Sequence, residues 1–313
     1  MSHDVINELI TIMGNIVLRE ILSNIRCVVP GRYSIIADEA TDVNCSEQLN
    51  VSIRYVDEDY TINEDSIGMF VLPNTYAETI SSISNKRHTF AMFLTSSLCR
   101  GQAYDGAAVI RSGVAARIRN DVPQALPVHC LAHCLNLCLQ DAGKQINLLR
   151  DAIQLVREIV QLINCSPKRK HLFSQYLLAD NDRPSGGLKP LCPTRWTVRA
   201  AAMEAVINQY DVIMETLEDV HLNTRDEYGL KAGGILAALE KFDTFFSLKL
   251  GCLLFGCSEN TSKVLQAKDI TMQEAVSAIT VTQTFYKRQR EDDAFNTFFD
   301  RVEQDARSLN IGL

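Results

Sequence analysis

Two aspartates stand directly after short segments that are typical of buried strands. Asp38 follows the apolar segment 33–37 in YSIIADEATD, and Asp105 follows CRGQAY and precedes a Gly-Ala pair. A carboxylate at the end of a buried strand is costly unless it binds a cation or a hydrogen-bond donor. If the two strands are neighbours, the carboxylates converge and could bind Mg²⁺ or Mn²⁺, which prefer oxygen ligands. Such ions would support in-line attack on a phosphodiester, whereas the alternative is that both aspartates cap turns or helices.

A second cluster of reactive side chains occurs in HCLAHC, residues 129–134. Within it, Cys130 and His133 have C-x-x-H spacing. A structural zinc site needs four ligands, and no second pair of ligands occurs at recognisable spacing. The segment therefore favours a helix whose Cys and Leu side chains pack in a core, with His133 as a polar residue near the sheet. No zinc is expected.

Positive charge is concentrated in one part of an acidic chain. The 313 residues carry a net charge of −7, which argues against coating of nucleic acid by bulk charge. Residues 86–170 nevertheless contain twelve Lys and Arg against five acids, including Lys168, Arg169 and Lys170. This segment predicts either a local basic surface that binds DNA or an ordinary solvated helix surface.

The single tryptophan, Trp196, follows Arg195 after a proline-rich segment. A lone tryptophan usually packs in a core or an interface, but it could also stack on an unpaired base. The sequence lacks G-x-S-x-G, the P-loop motif and G-x-G-x-x-G. The usual signals of α/β-hydrolases, P-loop NTPases and dinucleotide-binding folds are thus missing.

The elements that must position these residues change in type along the chain. Four strands are predicted at 33–37, 49–56, 66–72 and 99–104, and the first three form an antiparallel meander. Helical segments are predicted at 4–26, 76–98, 107–120, 131–164, 197–220, 229–255 and 271–308. This order predicts an α/β fold with a mixed sheet, followed by a mainly helical part. The expected domains are 1–185 and 186–313.

Four segments occur in a recognisable order: IIADEATDVNCSEQLNVSIRYVD, CRGQAYDGAAV, VHCLAHCLNL and CPTRW. They resemble the ribonuclease-H-like core of hAT-superfamily transposases, and in particular the domesticated branch that contains zinc-finger MYM-type protein 1-like proteins. The resemblance covers residues 4–310. It implies a ribonuclease-H-like mixed sheet flanked by helices, with a mainly α-helical insertion domain.

The resemblance also implies roles for individual residues. Asp38 and Asp105 match the family's first two catalytic acids, which bind Mg²⁺ or Mn²⁺ during the cutting and joining of DNA strands. His133 matches the histidine of the family's C-x-x-H segment and is expected near the DNA ends. Arg195 and Trp196 match residues that stabilise a flipped base or a hairpin.

The family's third catalytic acid is not found in its usual setting. The family has a Glu in a motif resembling E-R-x-F-S after the insertion domain, whereas the Phe-Phe-Ser segment at 245–247 lacks the preceding Glu-Arg. Glu158 and Glu204 are candidates only in principle, because neither occurs in that motif. We therefore expect an insertion-type region truncated before the third acid, and a chain that is inactive by itself. It would be a fragment, a decayed copy or a domesticated protein.

Two functions remain open from the sequence. One is a transposase-derived, nucleic-acid-binding domain with ancestral DNA cleavage and transfer; the other is a domesticated, non-catalytic module that binds protein or DNA in the nucleus. A ribonuclease for RNA–DNA hybrids is a third alternative, which only the shared fold favours. DNA is the expected partner, with protein partners unknown and a homodimer expected only in a longer form. No export signal or membrane segment is expected, and the ten cysteines are expected to be reduced.

Overall fold

The structure is a computed structural model that describes residues 2–28, 31–41, 46–74, 76–80, 98–104, 113–179, 187–189 and 198–312. The chain divides into two compact units, residues 1–134 and 135–313. The domain boundary predicted between residues 185 and 186 lies outside the described residues and stays a prediction.

A five-stranded mixed sheet forms the centre of the first unit. Its strands are β1 (Tyr33–Thr41), β2 (Glu47–Val56), β3 (Ile62–Val71), β4 (Cys99–Tyr104) and β5 (Leu126–His129). They lie in the order β3-β2-β1-β4-β5. The pairs β1–β2 and β2–β3 are antiparallel, whereas β1–β4 and β4–β5 are parallel. The predicted meander and mixed sheet are therefore confirmed.

The strands differ from the sequence prediction in their bounds: β2 begins two residues earlier than predicted, and β3 begins four residues earlier. β1 continues four residues beyond its apolar segment because its backbone still pairs with β2, from Asp38 opposite Asn50 to Thr41 opposite Glu47. β5 was too short to predict by itself. It has only four residues, and two of its apolar side chains are exposed, so it lacks the pattern of a buried strand.

One face of the sheet is covered by helices α1 (His3–Cys27) and α2 (Ala115–Asp121). Alternate side chains of each strand point to this face, because successive side chains in a strand point to opposite sides. The resulting hydrophobic cluster joins the sheet to both helices and includes Ile35, Ala37, Val51, Ile25 and Ile118. The predicted helix 107–120 thus appears as α2, while residues 105–112 lie outside the described part. The same is true of residues 81–97 of the predicted helix 76–98.

The described residues of the second unit are almost entirely helical. The helices are α3 (Leu131–Gln145), which begins in the first unit, α4 (Asn147–Asn164), α5 (Pro167–Ala179), α6 (Arg199–Asn208), α7 (Tyr210–Asn223), α8 (Glu227–Leu239), α9 (Phe242–Leu265), α10 (Met272–Arg288) and α11 (Asp292–Ser308). Four predicted helical segments are each divided into two helices. The intervening turns contain neither Gly nor Pro, so the sequence gives no signal for them.

A large hydrophobic cluster holds the second unit together. In this cluster the ring of Tyr210 meets that of Phe245 edge-on, with centroids 5.3 Å apart, and the Tyr210 hydroxyl donates to the carbonyl oxygen of Leu239. None of the described helices is long and apolar enough to cross a membrane. The eight described cysteines are unbonded thiols.

Candidate functional site

The carboxyl ends of three parallel strands meet at one edge of the sheet. Ala37 of β1 pairs with Tyr104 of β4, and Tyr104 pairs with His129 of β5. Two strand spacings of about 4.8 Å place the Cα atoms of Ala37 and His129 about 10 Å apart. Ligands of open α/β sheets commonly bind beyond the carboxyl ends of the strands. This edge is therefore the candidate functional site.

Asp38 lies at this edge and is exposed. It follows Ala37 and pairs across the antiparallel side with Asn50, so its side chain lies on the opposite face from that of buried Ala37. Asp105 follows Tyr104 in the sequence and lies outside the described residues. The register thus pairs the two residues that precede the predicted catalytic acids, while the approach of Asp38 to Asp105 stays a prediction.

The HCLAHC segment begins at the same edge. The backbone N–H of Cys130 donates to the carbonyl oxygen of Tyr104 at 3.3 Å, which extends the β4–β5 pairing by one residue. His133, predicted near the DNA ends, lies half-buried in the first turn of α3. His129 ends β5, and its Nδ1 atom is buried without a hydrogen-bond partner in the described structure. Sequence reasoning gave His129 no role, because β5 could not be identified.

The position of this edge depends on a buried glutamine of β4. Gln102 Nε2 donates to the carbonyl oxygens of Ala115 at 3.2 Å and Ala125 at 2.9 Å. These two acceptors lie at the start of α2 and just before β5. One side chain therefore fixes both elements against β4, and this arrangement places His129 beside Tyr104.

Other polar groups on the buried face have structural rather than chemical roles. Burial raises the pKa of the Cys99 thiol to about 11, and the thiol donates a hydrogen bond to the carbonyl oxygen of Gly101. Burial also raises the pKa of the Tyr104 hydroxyl above its usual range. Both groups are thus neutral at pH 7, and neither is suited to act as a nucleophile or base there.

The described residues do not make up the Mg²⁺ or Mn²⁺ site that the resemblance implies. Among them, no group of three or more His, Cys, Asp or Glu side chains is placed to hold a metal ion. Mg²⁺ needs octahedral coordination by oxygen atoms, and Asp38 is the one predicted catalytic carboxylate that the structure describes. The metal-ligand roles of Asp38 and Asp105 stay predictions.

The predicted basic DNA-binding run lies on α5, in the second unit. Lys168 and Lys170 are exposed. Arg169 has a packing role instead: its Nε donates to the carbonyl oxygen of Leu162 at 2.5 Å, and its guanidinium lies 4.4 Å from the ring centroid of Tyr228. The three residues therefore do not present one uniform charged surface. The other predicted DNA-binding residues, Arg195 and Trp196, lie outside the described residues.

Comparison with known protein families agrees with this architecture of a ribonuclease-like mixed sheet followed by a helical part. A family model described as "ZMYM1/FAM200, RNase-like domain" (DUF4371) matches residues 1–115. A second, "ZBED1 RNase-like helical domain", matches residues 128–231. Residues 1–115 and 128–231 are thus similar to the ribonuclease-like and helical domains of hAT-transposase-derived proteins, and the resemblance seen in the sequence is confirmed.

Two curated relatives align with most of this chain. The human "52 kDa repressor of the inhibitor of the protein kinase" is 26% identical over 227 residues, which cover 67% of this chain and 29% of that protein. The mouse protein of the same name is 24% identical over 263 residues, which cover 79% of this chain and 34% of that protein. The chain thus spans about a third of the length of these relatives.

Proposed function

We propose that this chain is a transposase-derived domain that binds DNA in the nucleus and descends from a protein with metal-dependent strand cleavage and transfer. The pairing of Ala37, Tyr104 and His129 carries the proposal, because it brings the strand ends that precede Asp38 and Asp105 to one edge. Asp38 and Asp105 would hold Mg²⁺ or Mn²⁺, which lowers the barrier to attack on a phosphodiester. Because the family's motif for the third acid is missing, the isolated chain is proposed to be inactive in strand transfer.

The DNA-binding part of the proposal relies on the basic segment 86–170 of an otherwise acidic chain. Its described members include Arg117 and Arg119 on α2 and Lys168 and Lys170 on α5, all of them exposed. Contacts between such cations and phosphates release counterions, so affinity falls as the salt concentration rises. Nuclear location agrees with DNA as a partner and with the curated relatives, which are named as repressors.

A nicking assay with Mn²⁺ tests the ancestral chemistry. Wild type, Asp38→Ala and Asp105→Ala are compared on supercoiled DNA, with DNA binding measured in parallel from 50 to 200 mM salt, a range over which phosphate contacts lose roughly tenfold or more in affinity. Glu58→Ala is the matched control, because Glu58 is exposed in the β2–β3 turn beyond the opposite ends of the strands.

We expect salt-sensitive DNA binding by all four proteins and no nicking above the background. Nicking that is lost in both aspartate variants but kept in Glu58→Ala would show that the chain is active, which would overturn the proposed inactivity. The absence of DNA binding at the lowest salt concentration would overturn the proposed function itself.

A second candidate function is interaction with protein, and helix α1 favours it. Its carboxyl-terminal part presents Leu22 and Ile25 to the core of the first unit. At 100° per residue, its amino-terminal apolar side chains lie on the opposite side. Ile10 and Met13, for example, are 62% and 65% exposed. The whole exposed set is Val5, Ile6, Leu9, Ile10, Ile12, Met13, Ile16 and Val17.

The partner that fits this surface best is a second copy of the chain, so this second function differs from the sequence-based expectation of a homodimer only in a longer form. In an antiparallel helix pair with Ile10 opposite Met13 of the second copy, the exposed apolar side chains of one helix pack against those of the other. We expect a dimer that dissociates on dilution, measured by sedimentation, and a monomer for Ile10→Glu. Thr11→Glu, on the polar side of the helix, is the control and is expected to dimerise. A wild-type chain that is monomeric at all concentrations would contradict this second function.

A further inference from the structure

The second unit contains a cavity of about 440 Å³ between helices α3, α4 and α6. This volume lies within the range of about 300–1,000 Å³ that is typical of small-molecule sites. Its apolar lining includes Leu139 and Ile153, whose side chains pack partly against the hydrophobic cluster of this unit. Opposite charges do not balance in the cavity: four cationic side chains and one carboxylate line it, namely Lys144, Arg150, Arg157, Arg199 and Asp151.

Carboxylates compensate part of this positive charge, and one of them lies outside the lining: Lys144 Nζ is 3.9 Å from Asp141 Oδ1, with both side chains largely exposed. Asp151 Oδ1 accepts from Nε of Arg150 at 3.0 Å, and both side chains are more than half exposed. Arg157 Nη1 donates to the neutral amide oxygen of Gln154 at 3.3 Å, and Gln154 in turn donates to Glu158 at 2.7 Å. Glu158 does not line this cavity, so the positive charge inside it is carried mainly by Arg157 and Arg199.

Two contacts position Arg199 and the start of α6. Its guanidinium lies 5.7 Å from the ring centroid of Phe255, and Glu259 Oε1 accepts from the backbone N–H of Ala200 at 2.9 Å. Burial lowers the pKa of Arg199, nearby Glu259 raises it, and the positive charge of Arg157 lowers it again. Arginine stays charged at pH 7 even so, and the lining of the cavity therefore contains the positive charges of both Arg157 and Arg199.

We propose that this cavity is a binding site for a small ligand that carries several phosphate groups, held by Arg157 and Arg199 together with Lys144. Guanidinium groups bind phosphate oxygens in pairs of parallel hydrogen bonds, so a phosphate between Arg157 and Arg199 replaces their mutual repulsion with attraction to both. A ligand of this kind matches the concave form of the site, in which cations converge on one volume. A nucleic acid strand is instead bound by cations spread along a groove. The site does not include the sheet edge, although Lys144 and Arg157 belong to the basic segment 86–170 of the proposed function.

The phosphate groups could belong to an inorganic polyphosphate or to a nucleoside polyphosphate, and the two sources are distinguished by calorimetry. The full chain is titrated with sodium tripolyphosphate and with ATP, without Mg²⁺ and at a fixed ionic strength of 150 mM, at which surface electrostatic attraction is largely screened beyond about 8 Å. Arg157→Gln tests the site at an exposed position, where the fold is retained. Arg301→Gln, an exposed arginine of α11 away from the cavity, is the matched control.

We expect saturable binding of at least one of the two probes, with at least tenfold weaker affinity in Arg157→Gln and unchanged affinity in Arg301→Gln. Stronger binding of ATP would identify a nucleoside polyphosphate, because its adenosine can contact Leu139 and Ile153. Equal or stronger binding of tripolyphosphate would identify the inorganic source. The absence of binding of both probes at millimolar concentration, an equal loss in both variants, or binding of DNA oligonucleotides alone through Arg157 would each overturn the proposal.

Discussion

The phenolic hydroxyl of Tyr104 donates a hydrogen bond of 2.9 Å to Oε1 of Gln102, two residues earlier on β4. Gln102 and Tyr104 are only 1% and 2% exposed. The amide of Gln102 donates in turn to the carbonyl oxygens of Ala115 and Ala125. A chain of buried hydrogen bonds thus links the strand that precedes Asp105 with α2 and with the start of β5.

Replacing Gln102 with methionine is expected to destabilise the first unit. Gln102→Met keeps the approximate size of the side chain but leaves the Tyr104 hydroxyl and two carbonyl oxygens without this partner. Buried polar groups that lose their partners cost about 1–3 kcal/mol each, so with three such groups we expect a loss of roughly 3 kcal/mol or more in the free energy of unfolding by urea. Gln273→Met, on the exposed side of α10, is the control and should change it by less than about 0.5 kcal/mol. Equal losses would contradict the structural role of Gln102.

Two glycines of α8 are expected to respond in opposite directions to the same substitution. A Cβ at Gly229 would overlap the backbone carbonyl oxygen of Thr224, whereas a Cβ at Gly234 meets no atom within 4 Å. Gly229→Ala should therefore destabilise the protein by about 1–3 kcal/mol, the usual cost of overpacking. Gly234→Ala should stabilise it by up to about 1 kcal/mol, because alanine favours the helix. Urea unfolding measures the free energy of unfolding of both variants. Changes of the same sign in the two variants would contradict the prediction.

The capping box at the start of α10 predicts a dependence of stability on pH. Glu274 Oε2 accepts from the backbone N–H of Thr271 and from its hydroxyl, both at 2.8 Å, and the Thr271 hydroxyl accepts from the N–H of Glu274. The bond from the backbone N–H is the main cause that lowers the pKa of Glu274 below its usual 4.5. A lowered folded-state pKa means that the charged form stabilises the fold above the unfolded-state pKa, and that this contribution disappears as the pH falls through the folded-state value.

The variant Glu274→Gln tests this dependence by urea unfolding between pH 7 and pH 3. We expect wild type to be the more stable protein at pH 7, with a difference that shrinks once the pH falls below about 4.5. Glu20→Gln, at an exposed position of α1, is the control. A difference between wild type and Glu274→Gln that is constant over the whole range would be inconsistent with a charged capping box.

The basic run of α5 is expected to divide into two functional classes. Lys168→Gln and Lys170→Gln should each leave stability unchanged and reduce the salt dependence of DNA binding, with a slope smaller by about one. Arg169→Gln should instead lower the free energy of unfolding by roughly 1–2 kcal/mol, because it removes the contacts with Tyr228 and with the carbonyl oxygen of Leu162. Parallel measurements of stability and DNA affinity on the three variants decide this. Identical behaviour of all three would refute the division.

Local patterns predicted most of the first unit. Short apolar runs located β1 and β3, period-two alternation located β2, and β4 was predicted with the bounds that the structure has. β5 could not be predicted, since Leu126 and Val128 are exposed and carry no such pattern. The sequence also did not predict that the long helical segments are divided, because Ile146 and Gln209, which separate consecutive helices, are not helix breakers.

The sequence by itself determined the types of the elements, the family of the protein and the position of Asp38 after an apolar strand. These properties depend on residues that are close in the chain, where spacing and side-chain type act directly. Only the tertiary structure decided that Tyr104 lies between Ala37 and His129, that Arg169 packs on Tyr228, and that Arg157 and Arg199 share a cavity. Each of these relationships joins residues more than 20 positions apart. They arise from the joint packing of whole elements, which no local pattern encodes.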